Sequence, residues 1–79
     1  MFKNKNLSVI AYANGWTLWQ YYTEDSLKIV EVDGYFDKVS CLCATGDIII
    51  IVAKGQFGKE TAIRSIVLEN NVVKLKNLI

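Results

Sequence analysis

The residues able to do chemistry are few. Two thiols stand two apart, Cys41 and Cys43. A closed zinc site needs four ligands. The chain has no His, so only Asp37, Asp47 or a second chain could complete one. A nucleophilic Cys needs a base or a cation beside it, and no such neighbour stands out. A bridge between residues two apart would be strained. The pair therefore reads as small buried thiols, kept reduced in a cytoplasmic compartment. Gly55-Gln56-Phe57-Gly58-Lys59-Glu60-Thr61 has the composition of a phosphate loop but not its spacing. Two residues, not four, separate the glycines, Glu60 stands where a hydroxyl should follow the Lys, and a strand pattern follows instead of a helix. Asp33, Asp37 and Asp47 could gather around a cation, but Asp33 and Asp47 adjoin Gly, which turn chemistry asks for anyway.

Tyr12, Trp16, Trp19, Tyr21 and Tyr22 crowd one stretch. Aromatic platforms for single-stranded nucleic acid come with a basic groove. Asn14 to Glu24 contains no Lys or Arg, so packing is the better reading. With no convergent acid and base, the residues predict no catalytic, cofactor or metal site and a protein that is not an enzyme.

The elements that must carry these side chains are short. Turn signals divide the chain into strand-sized pieces: 7–13, 16–23, 27–32, 48–53, 61–69 and 72–78. Asn14-Gly15 is a strong hairpin signal, of the kind a type I′ turn needs. Asn70-Asn71 marks another tight turn. Tyr35 to Ala44 is ambiguous, with Asp37 placed to start and Gly46 to close one or two helical turns. Pro is absent, which suits paired strands. The expected fold is all-β: a compact small barrel or sandwich of about six short antiparallel strands with at most one short helix. Residues 1–6 read as a flexible arm, with Phe2, Lys3 and Lys5 as candidate partner contacts. Residues 7–79 form a single domain.

The 48–53 strand is apolar on both faces, with Ile48, Ile50 and Val52 on one and Ile49, Ile51 and Ala53 on the other. The 16–23 strand shows the same excess, with Trp16, Leu18 and Tyr22 opposite Trp19 and Tyr21. A domain of 79 residues has one core, yet 52% of its residues are apolar. Either loops and the short helix cover the second faces or another subunit does. Trp16, Leu18, Trp19, Tyr21, Tyr22, Ile49 and Ile51 are the candidate interface residues. A net charge of +1 supplies no global attraction for a polyanion. A small nucleic-acid-binding barrel would need Lys28, Lys54, Lys59, Arg64, Lys74 and Lys76 to converge on one face. The longest apolar run, Ile48 to Ala53, is far short of the about 20 residues of a membrane helix, and the N-terminus lacks the apolar core of a signal peptide.

The stretch Val9 to Thr23, with Ala13-Asn14-Gly15-Trp16-Thr17-Leu18-Trp19-Gln20-Tyr21-Tyr22-Thr23, resembles the "ANGFxLWHYxT" string of a small phage and prophage protein family. Gly34-Tyr35-Phe36, Leu42 and Gly46-Asp47-Ile48-Ile49 are similar to its "GYF…L..GDxIxV", and Ser65 to Val73 to its "VTSNxxGxV" ending. The chain departs at Gln20, where the family has His, and at Asp37 to Cys41, where it has "NPAAD". The resemblance implies a virion structural protein made in the host cytoplasm. Capsid decoration (cement) is the favoured role, on the capsid surface against the major capsid protein of a phage. A tail or fibre oligomerisation module is the alternative. Self-association is expected, with a trimer favoured because it would suit local threefold positions.

Overall fold

The computed structural model describes residues 1–78. Five strands form one sheet in sequence order: β1 (Leu7–Ala13), β2 (Trp16–Ser26), β3 (Ile48–Gly55), β4 (Gly58–Glu69) and β5 (Val72–Asn77). All neighbours run antiparallel except β2 and β3, which run parallel. The sheet is open, with β1 and β5 at its edges, so it has not closed into the expected barrel, and five strands replace six.

The missing strand is the 27–32 segment. Leu27–Val30 forms one turn of α-helix, α1. Its apolar residues do not alternate cleanly, because Lys28 would share a strand face with Val30. Helical spacing instead puts Leu27 and Val30 on one side. Val30 is fully buried and Leu27 packs on the core, while Ile29 stays exposed. The expected turn near Asp37 is present as a 3-10 turn, Asp37–Val39. A parallel pair cannot be joined by a hairpin. Residues 27–47 are the crossover that β2 and β3 require.

The turns also differ in detail. At Asn14-Gly15 only Gly15 has positive φ, +97°, so the hairpin forms without a type I′ turn. Asn70 and Asn71 are the pair in which both residues are left-handed, at +52° and +66°, as a type I′ connection needs.

The crossover covers one face of the sheet, the inner one. Tyr21, Ile49, Ile51, Ile66 and Val73 point into it from four strands. Val30, Phe36, Val39 and Cys43 close it from above. Residues 1–6 are not a free arm. Phe2 is buried, its ring stacked on Tyr21 at 5.4 Å and set edge-on to Phe36 at the same distance. Asn4–Asn6 form a 3-10 turn that leads into β1.

Candidate functional surface

None of the chemical constellations assembles. Cys41 is exposed and Cys43 buried. Burial first, then the nearby Asp47 and Cys41, push the Cys43 thiol up to about 11, the opposite of what a thiolate nucleophile or ligand needs. The Gly55–Gly58 loop is the β3–β4 hairpin turn, with Phe57 at its exposed tip. No cluster of three potential metal ligands exists among the described residues.

The reason is clearest at Asp47, which is almost wholly buried. Its Oδ1 accepts the Thr17 N–H at 3.0 Å. Its Oδ2 accepts the Trp19 indole N–H at 2.9 Å and the Ala44 N–H at 3.2 Å. Hydrogens occupy the directions a cation would need. Asp37 is engaged elsewhere, its Oδ1 accepting the Val73 N–H at 2.9 Å.

A second polar chain runs through the aromatic cluster. Tyr35 donates to Asp25 Oδ2 at 2.6 Å, and its hydroxyl lies 3.0 Å from that of Tyr21. Tyr21 in turn accepts the Lys3 N–H. The Met1 ammonium pairs with Asp25. That ammonium, then the Tyr35 hydroxyl, hold the Asp25 carboxyl below the usual range. Burial and the bond to Asp25 raise Tyr35 above an ordinary phenol. Both groups are locked by partners, and the chain anchors the N-terminal segment to the core.

Of the candidate cations, Lys54 and Lys59 at the β3–β4 turn and Lys74 and Lys76 on β5 fall on the outer face by register. Arg64 lies on the inner side of β4 and donates to Glu31 at 2.6 Å. Lys59 sits over the Tyr22 ring at 4.6 Å, and Lys74 pairs with Glu69. A patch for the nucleic-acid backbone would need these charges free and together.

What the fold leaves open is apolar. By register, Trp16, Leu18 and Tyr22 of β2 fall on the outer face with Ile48, Ile50 and Val52 of β3 and Ile63 and Val67 of β4. No element lies over this face among the described residues. Trp16 and Ile63 are exposed and the others are half-buried. The other four candidate interface residues, Trp19, Tyr21, Ile49 and Ile51, are core residues. The same alternation points them inward under the crossover. Lys3 and Lys5 remain exposed, whereas Phe2 does not.

The second open region is β1, which sequence patterning missed. Val9, Ile10 and Tyr12 are exposed, and apart from the Leu7 N–H, which donates to the Asn4 carbonyl, no residue beyond β2 donates or accepts a hydrogen bond there among the described residues. Its apolar string reads as an ordinary core strand. Only its position at the sheet edge makes it a surface.

Compared with protein-family models, with curated proteins and with solved structures, the chain finds no match.

Proposed function

We propose that this chain is a virion structural protein of the capsid decoration type. It acts by binding, not by catalysis. It sits as a homo-oligomer on the outside of an assembled phage shell and braces neighbouring copies of the major capsid protein. The observation that carries this reading is the unpartnered apolar outer face, from Trp16 and Leu18 across Ile48 and Ile50 to Ile63. Exposed surface totals 5165 Å², somewhat above the ~4,800 Å² usual for a folded chain of this mass. The resemblance of Val9 to Thr23 to a phage protein family supplies the setting.

The mechanism is mass action. A protein that binds only the assembled shell stabilises it by RT ln(1 + [L]/Kd), repeated at every site on the particle. The outer face and the exposed Lys3 and Lys5 are the contact surfaces. A tail or fibre module would use the same apolar surface. The engagement of Arg64 with Glu31, Lys74 with Glu69 and Lys59 with the Tyr22 ring disfavours nucleic acid as the partner.

The test is to induce particles from cells carrying the gene, band them in a density gradient and quantify this chain's peptides by mass spectrometry. Peptides should co-migrate with filled and empty heads in a fixed ratio to the major capsid protein. Peptides found with isolated tails would favour the alternative. Peptides confined to the soluble fraction would refute both.

A further inference from the structure

We infer that β1 is a self-association seam, where two copies of this chain join by pairing their β1 strands antiparallel about a two-fold axis. The inference rests on the reading of the protein as a self-assembling module and adds the place and mode of assembly. An edge strand presents unpaired N–H and C=O groups, and proteins blunt such edges with charge, Pro, bulges or a covering loop. The two edges of this sheet are treated differently. On β5, the crossover closes the edge at Val73. The Gly34 N–H donates to the Val73 carbonyl at 3.0 Å, and the Val73 N–H donates to Asp37 Oδ1 at 2.9 Å. Lys74 and Lys76 add charge to the same strand. On β1, the Asn4 carbonyl takes the Leu7 N–H at the strand's start and the register is irregular between Val9 and Ala11, and nothing else among the described residues covers the edge. Leu7–Ala13 carries no charge and no Pro, and Tyr12 is 81% and Ile10 50% exposed.

These differences select the occupant. An uncharged strand meets no like charge when it pairs with itself, and cross-strand apolar and aromatic neighbours stabilise such a pair. Pairing β1 with β5 of another copy would have to displace the Gly34 and Asp37 bonds. That arrangement would also leave a free edge at each end and propagate unless a ring closed. Two-fold pairing uses the open edge alone and stops at two. It gives a ten-stranded sheet in which the outer-face residues Leu18 and Ile48 of both copies continue across the seam. The geometry thus points to a dimer rather than the trimer that shell symmetry suggests.

Light scattering over a concentration series should give about 18 kDa, twice the 8.9 kDa chain. Hydrogen exchange should show β1 amides whose protection is lost on dilution. Ile10→Lys and Tyr12→Lys, checked for folding by circular dichroism, should each weaken the dimer about tenfold or more by setting like charges at the seam. A monomer at every concentration overturns the proposal. So does a trimer or a ladder of larger species, or a dimer that both Lys variants leave intact. If neither variant folds, the wild-type β1 exchange decides. The wild-type chain is also followed into particles. A wild-type monomer that bands with heads removes the seam but leaves the decoration role. A wild-type dimer that never bands with heads does the reverse.

Discussion

Asp47 occupies a position where a carboxyl group is costly unless its hydrogen-bonding capacity is used. It is used: three N–H donors, from Thr17, Trp19 and Ala44, converge on it from β2 and from the turn before β3. Its own main chain joins in, the Ile66 N–H donating to the Asp47 carbonyl at 2.8 Å. One side chain therefore ties the end of the crossover to the parallel strand pair. Asp47→Ala would orphan a buried indole N–H and two backbone N–H groups. The expected loss of stability is about 3 kcal/mol, read as a fall in the urea midpoint. Asp47→Asn keeps one acceptor but turns an amide NH2 toward a donor, so its loss should lie between wild type and Ala. An Ala variant with an unchanged midpoint would show that the network does not hold the fold. The sequence places Gly46-Asp47 at a turn, which is correct. The Thr17 and Trp19 donors are not legible there, because they lie 30 and 28 residues away in sequence.

At the scale of elements, the N-terminal segment is the clearest contrast between local pattern and tertiary outcome. Six mostly polar residues ahead of the first strand look like an arm. The Phe2 ring nevertheless packs among Tyr21, Tyr35 and Phe36 at 5.4–6.0 Å, and the Lys3 N–H is held by the Tyr21 hydroxyl. Phe2→Ala should cost about 3 kcal/mol and free residues 1–6, seen as faster proteolysis ahead of β1. Equal stability and equal cleavage rates would mean that the segment is not anchored by its ring. The strands themselves were readable. The β1–β2 and β4–β5 hairpins follow from Asn-Gly and Asn-Asn, and the faces of β2 and β3 follow from alternation. Two things were not. Leu27–Val30 carries a mixed signal that only the need for a crossover resolves into a helix. The parallel pairing of β2 with β3 depends on that same crossover, and no residue within either strand announces it.

For the whole molecule, the decisive feature is an asymmetry of cover. The crossover and Phe2 supply one face of the sheet with a core. The opposite face and the β1 edge keep their apolar side chains in water. The surplus itself was legible in the composition and in the doubly apolar 48–53 strand. Which face would be left over was not, since alternation sorts residues into two sets without saying which set faces in. That Leu7–Ala13 carries no charge fixes how association through β1 must respond to salt. Surface ion pairs such as Lys74–Glu69 lie away from β1, so screening has little to act on. The dissociation constant for self-association should change by less than about threefold from about 0.05 to 0.5 M sodium chloride. A chain bound through lysines to a nucleic-acid backbone would instead lose orders of magnitude in affinity over that range. Sedimentation velocity across the salt series separates the two. A dimer that dissociates steeply as salt rises would mean that charge, not the uncharged β1 edge, holds the copies together.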